Sequence, residues 1–170
     1  MKPRVLFTAA EIDAALDGMA AAIVARMGRE QTVVCLALLN GALWFAADLL
    51  RKLPRNYVLE TARVSSYGDA FESSGRLDWK TPMPDVAGKA VLVLDDVLDT
   101  GLTLHTVRTE LLGAGATEVL SAVAVDKHEC RRNDFEADFV GLVAGDAYLL
   151  GYGLDAAGFD RNLPDIVEMV

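Results

Sequence analysis

The run Val91-Leu92-Val93-Leu94-Asp95-Asp96-Val97-Leu98-Asp99-Thr100-Gly101-Leu102-Thr103-Leu104 narrows the folds open to this chain more than any other stretch. It begins as an unbroken aliphatic segment, the pattern of a strand buried on both faces of a parallel sheet. Two adjacent carboxylates close that strand. Two aliphatics, a third carboxylate and Thr-Gly-x-Thr follow. An apolar period then resumes at Leu104, Val107, Leu111 and Leu112, which predicts an amphipathic helix. Polar residues are thus gathered at the carboxyl end of a strand and ahead of a helix, where open α/β sheets bind ligands.

Each residue type in this stretch has a physical use. Gly101 can adopt positive φ and lets a ligand approach the backbone. Asp99, Thr100 and Thr103 can supply a helix cap, hydroxyl donors and a turn. The unpaired amides of the first helical turn, with the helix dipole, favour a phosphate. Asp95 and Asp96 are unsuited to holding phosphate directly, but they suit ribose hydroxyls or a Mg²⁺ ion carried in with a polyphosphate. A plain strand followed by an Asp-capped helix would need only one of these acids. No Gly-Lys-Ser/Thr follows a spaced glycine, so the loop is not of the Walker type.

Length and composition set the bounds. A chain of 170 residues fits one domain, and 52% hydrophobic content is enough to cover both faces of a sheet with helices. The net charge of -9, with no basic run, argues against nucleic acid as a partner. Cys35 and Cys130 lie in no metal-ligand spacing and imply no disulfide framework, which points to a reducing, cytoplasmic setting. No signal peptide opens the chain and no apolar run is long enough to span a bilayer, so no membrane partner is expected.

Along the chain, Lys2 to Phe7 is a short edge strand or arm. Thr8-Ala9-Ala10-Glu11 is a capping-box pattern ahead of a helix that carries Ile12, Leu16, Met19, Ile23 and Met27 and ends near Gly28. Thr32 to Leu39 reads as a second buried strand. Asn40-Gly41 interrupts it, and Ala42 to Leu53 is helical. Taken alone, that join is an ordinary strand-to-helix turn whose glycine could offer amides to an anion. Tyr57 to Val64 reads as a strand leading to Ser65-Ser66-Tyr67-Gly68, and Asp69 to Trp79 is polar and without period, the profile of a surface hairpin or a mobile lid. Gly113-Ala114-Gly115-Ala116 ends the helix of the opening stretch. Val119 to Val125 is a further strand, closed by Asp126-Lys127. His128, Arg131 and Arg132 read as solvated, and His105 as structural. Phe139 to Val143 is a short strand, and Tyr148 reads as a core aromatic.

The opening stretch closely resembles the phosphoribosyl-pyrophosphate signature of type I phosphoribosyltransferases: aliphatic strand, two acids, two aliphatics, Asp-Thr-Gly-x-Thr. Other segments resemble the hypoxanthine-guanine branch in the right order. These are Leu39-Asn40-Gly41 with Phe45-Ala46-Ala47-Asp48-Leu49-Leu50, the Ser66-Tyr67 pair, Lys127, and Gly151-Tyr152-Gly153-Leu154-Asp155 with Arg161-Asn162-Leu163. The resemblance runs from about Leu36 to Pro164. It implies a twisted parallel sheet with helices on both faces and a small C-terminal hood. The whole chain would be one domain, residues 1–170, with a lid at about 66–80 and a purine-binding hood at about 127–170.

The resemblance also assigns roles. Asp95 and Asp96 would contact the ribose hydroxyls and Mg²⁺, and Asp99, Thr100, Gly101, Leu102 and Thr103 would cradle the 5-phosphate. Leu39, Asn40 and Gly41 would bind pyrophosphate, through a cis Leu39–Asn40 peptide, together with Arg161. Asn40 stands where many members carry Lys or Arg. Ser66 and Tyr67 would sit at the tip of the lid. Lys127 would donate to the purine O6, which favours a 6-oxopurine over adenine. Tyr148 would stack on the purine, Leu149 would offer its backbone to the ring edge, and Asp155 would hold a second Mg²⁺. The implied reaction is phosphoribosyl transfer to N9 of hypoxanthine or guanine, with Asp99 as general base at N7, Mg²⁺ as cofactor and a homodimer or homotetramer as assembly. Alternatives are a xanthine or orotate phosphoribosyltransferase, an RNA-binding regulator on the same fold, and a non-catalytic domain of the phosphoribosyl-pyrophosphate synthetase type. The acidic charge weighs against the regulator, and the intact Asp99 and Lys127 weigh against the non-catalytic domain.

Overall fold

The computed structural model describes residues 2–66 and 77–170. In chain order its elements are β1 (Pro3–Phe7), α1 (Ala9–Met27), β2 (Val33–Leu38), α2 (Leu43–Leu50), β3 (Tyr57–Ala62), β4 (Val64–Ser66), β5 (Leu77–Trp79), β6 (Ala90–Leu98), α3 (Leu102–Gly113), β7 (Glu118–Asp126), β8 (Phe139–Val143), β9 (Tyr148–Leu150) and β10 (Ile166–Met169). A 3₁₀ turn, His128–Cys130, follows β7.

Strands β2 and β6 are the apolar runs seen in the sequence, and they lie side by side at the centre of a five-stranded parallel sheet of order β3-β2-β6-β7-β8. Every residue of β2 is buried. Successive side chains go to opposite faces, as the two-residue period requires. Val33, Cys35 and Ala37 with Leu92 and Leu94 join the core under α1 and α2. Val34, Leu36 and Leu38 with Val91 and Val93 join the core under α3, through Leu104, Val107 and Leu111. Both faces of the sheet are therefore covered, which is why these strands lack the polar alternation of a half-exposed sheet.

Helix α1 starts where its capping box predicts. The Thr8 hydroxyl accepts from the Glu11 amide at 3.3 Å, and the Glu11 carboxylate accepts from the Thr8 amide at 2.8 Å. Its stripe of Ile12, Leu16, Met19, Ile23 and Met27 is buried against the sheet, each side chain contributing about 1.5–3 kcal/mol of transfer free energy.

Three boundaries differ from the sequence reading. Helix α2 is shorter than the Ala42–Leu53 segment. Helix α3 begins two residues before its first core leucine, and the Tyr57–Val64 segment divides into β3 and the start of β4, which pairs antiparallel with β5. The C-terminal β9 and β10 form an antiparallel sheet with β1, in the order β1-β10-β9, with Arg4 paired to the buried Glu168. The N-terminal arm is therefore part of the hood, whereas β8, between Lys127 and the hood strands, belongs to the main sheet.

Strand order reverses between β2 and β6, because β3 lies on one side of this pair and β7 and β8 on the other. Loops leaving the carboxyl ends of β2 and β6 diverge there and open a crevice. The hood closes that crevice from above.

Candidate active site

The carboxyl end of β6 supplies the acid pair. Asp95 accepts from the Asp96 amide at 3.0 Å, and Asp96 accepts from the Val97 amide at 2.9 Å. Both side chains reach the crevice with protein crowding them on the other sides. That desolvation, reinforced by the neighbouring Asp96 charge, holds Asp95 well above the usual carboxylate range. Burial also raises Asp96, less strongly, because hydrogen bonds from Asp95 and Val97 and the charge of Arg161 oppose it. Two carboxylates held in this way call for hydroxyl donors or a cation.

Next comes the turn into α3. Gly101 occupies its N-cap position with φ +82°, and no side chain caps the helix. The expectation that Asp99, Thr100 or Thr103 would cap is therefore not met. The Thr100 hydroxyl accepts from Leu102 at a long 3.4 Å, while Asp99 is exposed. The first-turn amides are left for a ligand. Asp95, Asp99, Thr100, Gly101 and Thr103 line a small cavity of about 70 Å³ at this turn, and Leu102 opens the helix beside it.

The loop after β2 sits directly across from the acid pair. Its Leu39–Asn40 peptide is cis, the Leu39 amide donates to the Ala62 carbonyl at 2.8 Å, and the Leu43 amide donates to the Asn40 carbonyl at 3.1 Å. Gly41 lies so close to Asp96 that a Cβ there would come within 1.8 Å of its Oδ2. Gly153 of the hood lies on Gly41 in turn, its missing Cβ 2.0 Å from the Gly41 carbonyl oxygen. The acid pair, the Gly41 loop and the Gly153 turn thus form a stack with no room for a side chain between layers.

A second cavity, of about 240 Å³, is lined by Asp96, Asp99, Lys127, Tyr148, Leu149 and Asp155, with Val97 and Leu154. The Lys127 side chain is largely buried, its Nζ 3.9 Å from Asp146 Oδ1. Tyr148 is 54% exposed and its hydroxyl donates to the Asp155 carbonyl at 3.0 Å, so it is a pocket wall rather than a core aromatic. Asp155 is engaged at both oxygens, by Arg161 at 2.7 Å and by the Gly158 amide at 2.5 Å, and Arg161 also donates to the Gly153 carbonyl. The hood turn carries three non-glycine residues at positive φ, Tyr152, Ala157 and Asp160. Such strain persists only where surrounding contacts hold it. Ser66 ends β4, paired with Leu77; Tyr67 lies outside the described residues. Another cavity, of about 260 Å³ beside α1, α2 and the C-terminal turn, is lined by Trp44 and Tyr152 and by none of the site residues expected from the sequence.

Sequence reasoning missed two residues near the crevice. Arg131, read as solvated, is nearly buried and bonded to the loop after β6. Cys130 donates to Asp146 at 2.9 Å, and that bond, with some burial and the nearby Asp99 carboxylate, pushes its thiol up to about 12. Neither has a local sequence signal, since each owes its place to the path of the chain after β7.

A parallel sheet with its crevice at the switch point, an acid pair and an uncapped glycine turn suit a sugar phosphate, and residues 7–148 match the family model of the phosphoribosyl transferase domain. The chain belongs to the phosphoribosyltransferase family. It is 39% identical to the hypoxanthine-guanine phosphoribosyltransferase of Aquifex aeolicus over 166 residues, 97% of this chain and 93% of that protein. It is 37% identical to the Bacillus subtilis enzyme of the same name over 134 residues, 78% of this chain and 74% of the relative. Among solved structures, a hypoxanthine-guanine phosphoribosyltransferase from Bacillus anthracis superposes with a TM-score of 0.91 at 30% identity, covering 98% of both chains. The Trypanosoma cruzi hypoxanthine phosphoribosyl transferase gives 0.89 at 32% identity, covering 98% of this chain and 91% of the other.

Proposed function

We propose that this chain transfers the 5-phosphoribosyl group of phosphoribosyl pyrophosphate to N9 of hypoxanthine or guanine, releasing pyrophosphate. The observation that carries the reading is the shared wall of the two cavities: Asp99 faces the phosphate turn on one side and the Lys127–Tyr148 pocket on the other. A sugar phosphate on the turn and a purine in the pocket would then meet at Asp99.

In this reading Asp95 and Asp96 hold the ribose hydroxyls, and the turn from Asp99 to Thr103 holds the 5-phosphate. Leu39, Asn40, Gly41 and Arg161 hold pyrophosphate. Arg161 reaches it by leaving Asp155, which frees a carboxylate at the moment polyphosphate arrives. Lys127 donates to the purine O6, Tyr148 lies against the ring and Leu149 meets its edge. Asp99 takes the N7 proton as N9 bonds to C1 of the ribose. The lid expected at about 66–80, with Ser66 and Tyr67 at its tip, falls mostly outside the described residues, and the purine hood of the single domain is built from the C-terminal strands β9 and β10 with β1, while β8 stays in the main sheet.

The donor set fits a hard divalent cation. Asp95 and Asp96 are oxygen ligands whose raised proton affinity marks uncompensated charge, with Asp155 nearby. Among the described residues no group of three candidate ligands converges, so Mg²⁺ would be held by one or two carboxylates and by substrate oxygens. Bound there, Mg²⁺ would neutralise the leaving pyrophosphate.

We place the enzyme in the cytoplasm, as a homodimer or homotetramer. Both cysteines are free. Val58 and Leu59 are exposed on the edge strand β3, which suits self-association. Among the described residues no helix is long and apolar enough to cross a membrane, and the charge of -9 disfavours nucleic acid.

A spectrophotometric panel of bases with phosphoribosyl pyrophosphate and Mg²⁺ tests the proposal. Turnover of hypoxanthine and guanine is expected. Turnover of xanthine or orotate alone would overturn the base assignment, and no turnover with tight RNA binding in a low-salt gel shift would overturn the reaction.

A further inference from the structure

A loop that binds phosphate through its amides must turn its carbonyls away, because a carbonyl oxygen aimed inward repels the anion. Three consecutive carbonyls precede Gly101, and the connection between β7 and β8 takes all three from behind. The Lys127 amide donates to the Leu98 carbonyl at 2.9 Å, and the Arg132 amide to the Thr100 carbonyl at 3.0 Å. Between them, Arg131 Nη1 donates to the Asp99 carbonyl at 2.5 Å and, at a long 3.4 Å, to that of Leu98. Arg131 Nη2 donates to Asp126 Oδ1 at 2.5 Å, and the two side chains are only 10% and 13% exposed. The guanidinium is therefore anchored to the last residue of a central strand while it grips the loop. Its flat fork reaches a carboxylate and two carbonyls at once, which a lysine ammonium on a flexible stem does not match. Asn133 completes the backing. Its Oδ1 accepts from Phe135 at 3.1 Å and lies where a Cβ on Gly101 would approach to 2.5 Å.

We propose that Arg131 is a positioning residue for the phosphate-binding turn: it holds the Leu98 and Asp99 carbonyls away from the ligand, so that the amides after Asp99 face the 5-phosphate and the Asp99 side chain faces the base pocket. The proposal rests on the reading of that turn as the 5-phosphate site. It separates Arg131 from Lys127, four residues earlier on the same connection, whose proposed ligand is the purine.

The test compares Arg131→Met, which keeps the stem and removes the donors, with Arg131→Lys, which keeps the charge and loses the fork. The readouts are the KM for phosphoribosyl pyrophosphate, the KM for hypoxanthine at saturating phosphoribosyl pyrophosphate, kcat, and the far-UV circular dichroism of each variant. Arg131→Met is expected to raise the phosphoribosyl pyrophosphate KM at least tenfold with the hypoxanthine KM within threefold of wild type, and Arg131→Lys to fall between. A folded Arg131→Met with its phosphoribosyl pyrophosphate KM within twofold of wild type overturns the proposal. So does a parallel rise of both KM values, the mark of a general structural role. If Arg131→Met does not fold, Arg131→Lys decides alone, and an unchanged phosphoribosyl pyrophosphate KM overturns the proposal. Calorimetry of wild type with phosphoribosyl pyrophosphate keeps the underlying reading separate: no binding there refutes the phosphate site itself, whatever the variants do.

Discussion

Replacing Gly153 with alanine asks whether the geometry of the Gly41 loop limits the reaction when no reacting group is removed. The magnitude follows from two numbers. Gly153 has φ +100°, which costs an alanine about 1–3 kcal/mol. Its Cβ would fall 2.0 Å from the Gly41 carbonyl oxygen, where real Cβ atoms stay beyond 3.0 Å. Both neighbours are backbone, so the hood turn and the loop must part by roughly 1 Å, and Gly41 has Asp96 pressed against its far side. A displacement of roughly 1 Å among reacting groups costs on the order of 100-fold in rate. Gly88→Ala is the control, because Gly88 also has positive φ but nothing within 4 Å of its missing Cβ. The assay is kcat/KM with hypoxanthine and phosphoribosyl pyrophosphate at 25 °C, alongside thermal unfolding. Both variants should unfold several degrees early, and only Gly153→Ala should lose activity, by about 100-fold. A folded Gly153→Ala with kcat/KM within threefold of wild type refutes the argument that this stack sets the loop.

Asp99 caps no helix, so Asp99→Asn should leave the unfolding midpoint unchanged while the single-turnover rate falls roughly two to four orders of magnitude; a near-normal rate removes Asp99 from the chemistry. Lys127→Ala should weaken hypoxanthine use far more than phosphoribosyl pyrophosphate binding, because its backbone amide still holds the Leu98 carbonyl, and equal losses would make the side chain structural. Activity should vanish in excess chelator and return with Mg²⁺ or Mn²⁺, so full turnover in chelator would exclude the metal. Asp95 is held well above its unfolded value by burial and by the Asp96 charge. An acid raised in this way stabilises the fold below its unfolded pKa, and that contribution is lost as pH rises through the folded one. Ligand-free Asp95→Asn should therefore melt higher than wild type at pH 8, with a gap that shrinks towards pH 4; a gap independent of pH would contradict the assignment.

The parts of this structure that were legible in the sequence are those whose cause is local. The strands β2 and β6 are apolar without alternation because both their faces are covered, and that pattern is visible in the residues themselves. The capping box of Thr8 and Glu11 spans one helical turn, and it forms as read. The family membership implied by the opening signature is also what the whole-chain comparisons give. What stayed hidden depends on distant partners. The pairing of β1 with β10 joins residues more than 150 positions apart and leaves no mark on either strand. Arg131 looks like any surface arginine until the chain after β7 folds back behind the loop from Leu98 to Thr100. The absence of a side-chain cap on α3 is not legible because three residues able to cap, Asp99, Thr100 and Thr103, flank Gly101, yet the glycine itself takes the N-cap position.

The connection between β7 and β8 has two clients. Its first residue, Lys127, lines the cavity walled by Tyr148 and Asp155, and its next turn braces the loop after β6. In the proposed reaction a substitution there is judged twice by selection, once for the base and once for the sugar phosphate, so few should survive. Strand β9 is tied to that cavity and to the hood, not to the loop after β6: Tyr148 and Leu149 wall the cavity, Tyr148 reaches the Asp155 carbonyl, and the strand pairs with β10. A lineage that acquires a new base preference on this scaffold should therefore record it in β9 and the turn behind it, while the stretch from Lys127 to Asn133 changes slowly.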